Sequence, residues 1–140
     1  MSIRRYAEGT KVAVESSQGE LAGILTKHGV KKQGWMREED KDTLFFELGG
    51  CQYRLDIKKP TMADVRKLYP NAYDYAAKLD AEWRRRWRAN VLLLKAKLEF
   101  IEGGDTTLDQ ELLPYRVLKD GRTLLEAIAA ESLPMLEAGS

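Results

Sequence analysis

Alternation of apolar and polar residues in the first 60 positions predicts a small antiparallel sheet. Four segments carry this alternation, namely residues 11–15, 34–37, 43–48 and 52–57. Gly49 and Gly50 separate the last two segments, and a glycine pair favours a tight hairpin because glycine accepts positive φ angles. Pro60 ends the region, since proline has no N–H to donate to a ladder.

Three short patterns of the form Ser/Thr-x-x-Glu/Gln predict helix starts, because the two side chains of such a capping box satisfy unpaired backbone N–H groups. The patterns begin at Ser17, Thr107 and Thr123. The first predicts a short helix over residues 17–28 that stops at Gly29. The second predicts a helical turn that ends near Pro114, and the third a last helix that ends before Pro134. Residues 115–118 are predicted to be extended.

A long helix over residues 73–102, stopped by Gly103 and Gly104, is the central predicted element. Its apolar residues recur every three or four positions, at Leu79, Trp83, Trp87, Val91, Leu94, Leu98 and Ile101. Such a stripe predicts that one side of the helix packs on the sheet. The sheet residues expected against it are Leu44, Phe46, Tyr53 and Leu55.

The order of these elements, β-α-β-β-β-α, predicts an α+β two-layer sandwich, in which a short and a long helix pack on a small antiparallel sheet and helical additions follow. A chain of 140 residues suits a single domain. Residues 1–60 form its β-rich part with one short helix, residues 61–104 the long-helix region, and residues 105–140 an acidic helical segment.

Composition excludes several classes of protein. One cysteine and one histidine cannot form an intramolecular disulfide framework or a His/Cys zinc site, so no metal or cofactor is expected. No stretch of about 18 apolar residues predicts a membrane span, and the first six residues lack the apolar core of a secretory signal. We therefore expect a soluble cytoplasmic protein.

The positive charge is concentrated on the long helix. Residues 83–97 contain six basic residues and no acid, whereas residues 103–140 hold three basic and seven acidic residues. With the tryptophans buried, Arg84, Arg88 and Lys95 are expected along one exposed line of about 16 Å, with Arg85 beside it. Such a line can follow successive phosphates. Lys31 and Lys32, with Arg4, Arg5 and Lys27, could extend it. The alternative is a solvated helix face that pairs with the acidic C-terminal third.

Two enzymatic arrangements are weaker alternatives. Cys51 and His28 could form a thiolate–imidazole pair, although nothing in the sequence places them together. Asp56-Ile57-Lys58, together with Glu47 and Glu20, resembles the acid pattern of Mg²⁺-dependent nucleases, which requires converging carboxylates. We expect Glu47 and Asp56 not to converge, and we expect no enzymatic activity.

Three segments are similar to a family of small, uncharacterised bacteriophage and prophage proteins. They are Arg-Arg-Tyr-Ala-Glu-Gly-Thr at residues 4–10, the helix segment 83–102, and Leu-Lys-Asp-Gly-Arg-Thr-Leu at residues 118–124. The resemblance covers most of the chain, but the end of the chain departs from the family's proline-rich finish. It implies a phage or prophage origin and a role in phage DNA metabolism or in managing the host. It brings no catalytic residue.

The function expected from these observations is that of a non-enzymatic accessory protein which binds nucleic acid through Arg84, Arg85, Arg88, Lys95, Lys31 and Lys32. The alternative is an interaction module for a host or phage protein, whose contact surface is the acidic tail or an apolar patch formed by Leu133, Pro134, Met135 and Leu136. Binding that depends strongly on salt would favour the first function over the second.

Overall fold

A three-stranded antiparallel sheet and five α-helices form the fold in the computed structural model, which describes residues 4–131 and 134–138. The helices are α1 (Val14–Lys27), α2 (Met62–Leu68), α3 (Tyr75–Glu102), α4 (Leu108–Leu112) and α5 (Leu124–Glu131). The strands are β1 (Lys32–Arg37), β2 (Lys41–Leu48) and β3 (Cys51–Lys58), in the spatial order β1-β2-β3. The predicted α+β class is confirmed.

The central hairpin forms as the glycine pair predicts. Leu48 lies opposite Cys51, and the turn between them places Gly49 at φ 59° and Gly50 at φ 78°. Two successive positive φ angles are what a two-residue hairpin turn requires, and only glycine adopts them at little cost. β1 pairs with β2 across the polar turn at residues 38–40, which is also as predicted.

The core lies between the sheet and α3. Trp87, Val91, Leu94 and Leu98 are at most 2% exposed and pack in one cluster with Leu44, Phe46 and Tyr53 of the sheet, which confirms the predicted helix face. Trp87 also donates its indole N–H to Asp42, with 3.1 Å between Nε1 and Oδ2. Asp42 is 1% exposed, so water hardly reaches its carboxylate. The indole N–H of Trp87 supplies a hydrogen bond that water would otherwise provide.

The N-terminal region differs from the prediction. Residues 11–15 are not a strand, because α1 begins at Val14 after an extended Ala13. Ser17 does not cap the helix; it is fully buried inside it. The buried side of α1 is formed by residues at helical spacing, Val14, Ser17, Leu21 and Ile24. This helical spacing extends over more residues than the short apolar–polar alternation in residues 11–15 that resembled a strand.

The sequence interpretation missed α2. Thr61 accepts a hydrogen bond from the Asp64 N–H, and Asp64 accepts one from the Thr61 N–H, so the pair forms a capping box with aspartate in the usual glutamate position. The predicted boxes at Thr107 and Thr123 are confirmed by the same reciprocal hydrogen bonds. Residues 115–118 are extended only in part, through single bridges from Arg116 to Tyr53 and from Val117 to Thr123.

Within the described residues, no helix combines the length and the apolar character needed to cross a lipid bilayer.

Candidate nucleic-acid interface

The arginines of α3 do not all face the solvent. Arg85 Nε donates to Glu82 Oε1 at 2.7 Å and its Nη1 donates to the Tyr6 carbonyl at 3.1 Å, which leaves 17% of its side chain exposed. Arg88 forms an ion pair with Glu20 of α1, and 20% of its side chain is exposed. The prediction of four free cationic heads on one face is therefore wrong for Arg85 and Arg88.

The packing of α1 explains the position of Arg88. α1 lies along α3 in the same direction, since Val14 and Arg84 line one cleft and His28 contacts Glu102 at the other ends of the two helices. Arg84 and Arg88 of the predicted line therefore lie beside α1, where Glu20 meets Arg88. The acidic partners of Arg85 and Arg88 are Glu82 and Glu20, and neither belongs to the acidic C-terminal third.

Glu82 is the centre of a buried ionic cluster. Its side chain is 0% exposed and accepts two hydrogen bonds from Arg5, at 2.7 and 2.8 Å. Arg85 and Arg86 approach the same carboxylate at 2.7 and 3.3 Å. Burial raises the pKa of Glu82, but the hydrogen bonds from Arg5 and Arg85 outweigh burial and lower the pKa to about 2. Much of the arginine run therefore neutralises a buried acid.

This cluster joins the N-terminal segment to α3 and α2. Arg5 also donates to the Tyr69 hydroxyl at 3.2 Å. Arg86 reaches Asp64 at 3.4 Å and the Lys58 carbonyl at 3.1 Å. Because Arg5 comes from the segment before α1, the cluster holds that segment against α3.

The remaining members of the predicted line are Arg84 and Lys95. Neither forms an ion pair with a carboxylate in the part of the chain that the structure describes, whereas their neighbours Arg85, Arg86 and Arg88 all do. Both side chains are half-buried. Arg84 lines a cleft together with residues of other elements, whereas the prediction placed it on an open helix face.

A cleft of about 550 Å³ brings three cations together at one end of the molecule. Arg37 is the last residue of β1, Lys59 follows β3, and Arg84 lies on α3. Trp83 forms part of the wall, and its half-buried ring makes an edge contact with Trp87 at 6.3 Å between centroids. Cationic residues from three separate elements therefore line one concave surface.

Local contacts hold two of these cations in place. The Arg37 guanidinium lies over the Trp35 ring, 5.3 Å from its centroid, and its Nε is 3.7 Å from Asp42. Lys59 Nζ donates to the Glu38 backbone carbonyl at 2.6 Å. This bond does not neutralise the ammonium charge, because a backbone carbonyl carries no net charge. The same cleft also contains two carboxylates, Glu15 and Asp80, so its side chains carry a formal net charge of +1.

The first turn of α1 completes the cleft. Ala13 and Val14 line it, and Ala13 offers no side-chain cap to the first N–H groups of the helix. Unpaired amides at a helix N-terminus carry partial positive charge, which adds to the potential of Arg37, Lys59 and Arg84.

Lys31 and Lys32 lie elsewhere. Both are exposed at the beginning of β1, and Lys32 Nζ is 3.9 Å from Glu47 with 80% of its side chain exposed. Five residue steps along β1 separate Lys32 from Arg37, a distance of about 17 Å. The six residues predicted to bind nucleic acid therefore do not form one patch.

The acidic residues of the nuclease pattern do not meet. Asp56 lies opposite Thr43 and accepts hydrogen bonds from Thr43 at 3.1 Å and Lys41 at 3.4 Å. Glu47 lies four positions farther along β2, about 13 Å away. Within residues 4–131 and 134–138, no group of three or more histidine, cysteine, aspartate or glutamate side chains is placed to hold a metal ion.

Among the described residues, no hydrogen bond joins His28 to Cys51. His28 Nδ1 lies 2.6 Å from Glu102, and 5% of the His28 side chain is exposed. Cys51 is a free, half-buried thiol at the start of β3. His28 is the C-cap of α1, and the contact with Glu102 holds its side chain against α3.

The alternative contact surface at the C-terminus is described in part. Leu133 lies outside the described residues. Met135 and Leu136 are 71% and 93% exposed, so two large apolar side chains are open to solvent there.

The sequence interpretation found Arg84 but not its partners in the cleft. Arg37 and Lys59 are 47 and 25 positions before Arg84 in the chain, and no local pattern connects them. Comparison with protein-family models, with curated proteins and with solved structures finds no match to this chain.

Proposed function

We propose that the protein is a non-enzymatic nucleic-acid-binding protein which contacts the phosphate backbone at the cleft of Arg37, Lys59 and Arg84. The observation that carries this proposal is the convergence of three cations from three elements on one cleft. Phosphate oxygens are the natural partners of such a site, because arginine pairs with them bidentately and lysine adds a point charge.

The shape and the wall of the cleft support the same ligand. A volume of about 550 Å³ lies within the usual range for sites that hold a small ligand, so one nucleotide unit of a chain can enter it. Trp83 provides an aromatic surface beside Arg84, where a sugar or base can rest. The unpaired amides of the first turn of α1 can add hydrogen bonds to a phosphate.

Glu15 and Asp80 limit what the cleft binds. Two carboxylates near three cations oppose any anion, so tight capture of a lone phosphate is not proposed. A polymer of phosphates gains further charge contacts along the surface and releases counterions as it binds. The proposal claims no preference for a base sequence, since contacts to phosphate carry none directly.

The proposed setting follows from the resemblance to phage and prophage proteins. A phage-encoded protein of this kind would act in the host cytoplasm as an accessory factor on phage or host nucleic acid. Arg84, one of the three proposed phosphate contacts, lies in the segment 83–102 that carries the resemblance.

Replacing Lys59 and Arg84 together by alanine is expected to weaken binding to DNA of unrelated sequences by a similar factor. The loss of two phosphate contacts should also flatten the plot of log affinity against log salt, by about 1.8 for double-stranded DNA and about 1.4 for single-stranded DNA. Fluorescence anisotropy with short single- and double-stranded oligonucleotides at several salt concentrations measures both quantities.

A matched control removes two exposed lysines away from the cleft, Lys27 at the other end of α1 and Lys119 in the C-terminal segment. It should leave both affinity and salt slope near their original values. A second comparison replaces Lys95 alone, which belongs to the predicted helix face and not to the cleft. If Lys95→Ala weakens binding while Lys59→Ala changes nothing, the helix face is the contact and the cleft is not.

A further inference from the structure

The two edge strands of the sheet differ in whether another segment of the chain pairs with them. Along β3, Val117 donates its N–H to the Gln52 carbonyl at 2.8 Å and Arg116 bridges to Tyr53, so a segment of the chain covers this edge. β1 pairs with β2 on one side, and no other described segment pairs with it. All six residues of β1 are exposed.

An open edge presents a row of unpaired N–H and C=O groups that can pair with another strand. The middle of this edge, residues 33–36, contains no charge and no proline to block such pairing. Trp35 and Met36 are 44% and 49% exposed, and because side chains alternate along a strand they lie on opposite faces of the sheet. An added strand would therefore meet an apolar side chain on each face.

The charges at the ends of β1 select the partner. Lys31, Lys32 and Arg37 flank the uncharged middle, and no acid occurs in residues 31–37. Lys31 and Lys32 carry most of the free charge, since Arg37 lies opposite Asp42 and 3.7 Å from it. A second copy of β1 would bring like charges together, since an antiparallel pair sets Lys32 opposite Arg37 and a parallel pair sets Lys32 opposite itself. Like charges directly opposite each other destabilise a strand pair. The edge therefore disfavours its own copy and favours an acidic strand.

We propose that the open edge of β1 binds an extended peptide segment of another protein, with acidic residues at its ends and apolar residues in its middle. Main-chain hydrogen bonds to β1 supply the affinity, as in other cases of strand addition. The acids face Lys31, Lys32 and Arg37, and the apolar residues lie beside Trp35 and Met36. The two groups of contacts give the segment its register.

Arg37 belongs to both surfaces, so the test that separates peptide binding from nucleic-acid binding changes Lys31 and Lys32 instead. Lys31 and Lys32 lie about 17 Å along β1 from Arg37, so they can be changed without touching Lys59 or Arg84. Both lysines are exposed, and Lys32 has one long contact, 3.9 Å, to Glu47. Lys32→Glu sets two carboxylates opposite each other across β1 and β2, so a second variant, Lys31→Gln with Lys32→Gln, is made as well and should leave thermal stability nearly unchanged.

The experiment titrates the full-length protein into a fluorescein-labelled peptide, Glu-Glu-Val-Thr-Val-Thr-Val-Glu-Glu, and follows anisotropy. The unmodified protein should bind this peptide, and the double variant Lys31→Glu with Lys32→Glu should bind it at least roughly tenfold more weakly. The same variant should bind a peptide of opposite charge, in which lysine replaces each glutamate, more tightly than the unmodified protein does. Methylation of alternate backbone nitrogens of the acidic peptide should abolish binding, because it removes the main-chain donors.

Three results would overturn the inference. The first is the absence of binding to the acidic peptide at low salt. The second is equal binding of the N-methylated peptide, since this would mean that no strand forms. The third is that an oligonucleotide competes with the peptide and binds the Lys31→Glu, Lys32→Glu variant more weakly than the unmodified protein. This result would mean that the edge contacts phosphate. In that last case, unchanged DNA binding by the Lys59 and Arg84 double variant would count separately against the cleft.

Discussion

Replacing Glu82 by glutamine is expected to lower the free energy of unfolding by about 3–5 kcal/mol. Glutamine keeps the size of the side chain but removes the negative charge that three guanidinium groups share. Glu82 is 0% exposed, so water cannot replace the lost carboxylate without disrupting the packing of the N-terminal segment. Breaking one partner of a buried ion pair leaves the other charge uncompensated, which explains the size of the effect.

Denaturation in urea measures this loss, and Glu47→Gln is the matched control. Glu47 is 39% exposed and its lysine partner is 3.9 Å away, so its replacement should change stability by less than about 1 kcal/mol. If Glu82→Gln behaves like the control, the cluster does not hold the N-terminal segment to α3.

The same carboxylate makes stability depend on pH in acid. The pKa of Glu82 falls from its ordinary value of 4.5 to about 2 in the folded protein. Its contribution, about 3 kcal/mol, is therefore complete above pH 4.5 and is lost as the pH falls towards 2. Over this range, stability should fall less steeply with decreasing pH in Glu82→Gln than in the unmodified protein. Parallel curves for the two proteins would contradict the assignment.

Leu94→Ala is expected to cost about 2–5 kcal/mol, because it removes buried methyl groups and leaves a cavity against the sheet. Leu94 is 2% exposed and packs in the main core. The preceding residue, Leu93, provides the control. It is 48% exposed, so Leu93→Ala should cost less than about 1 kcal/mol. Equal losses for the two variants in urea denaturation would mean that the inner face of α3 is wrongly placed.

Most of the fold follows from local patterns in the sequence. The Gly49-Gly50 pair specifies a two-residue turn, and the register of β2 with β3 follows from it. The spacing from Trp87 to Leu98 determines which side of α3 is buried, since a helix presents every third or fourth residue on one side. These elements are predictable because neighbours in the sequence determine them.

The start of α1 and the whole of α2 were harder to predict for different reasons. Residues 11–15 have a short alternation that also fits the first turn of a helix, and only the buried period from Val14 to Ile24 decides between them. α2 is seven residues long and begins at a capping box that uses aspartate. A search restricted to glutamate and glutamine at the third position overlooks it.

The candidate site depended on contacts between distant residues. Whether an arginine is free depends on which acid lies beside it, and Arg88 and Glu20 are separated by 68 positions in the sequence. Helical geometry placed Arg84, Arg88 and Lys95 on one line, but it could not show that α1 would pack against that line. The cleft likewise requires the ends of β1 and β3 to meet α3, which is a property of the tertiary structure.

The most direct test of phosphate binding at the cleft is a two-dimensional ¹H–¹⁵N spectrum of the labelled protein during titration with a 12-nucleotide DNA at low salt. Binding at the cleft predicts shifts of the Trp83 indole N–H and of the Val14, Lys59 and Arg84 amides, whereas the amides of Lys27 and His28 at the far end of α1 stay in place. Raising the salt concentration should reverse these shifts. A spectrum that does not change, or one whose shifts avoid the cleft and fall on Lys95 or on the C-terminal residues 134–138, would contradict it.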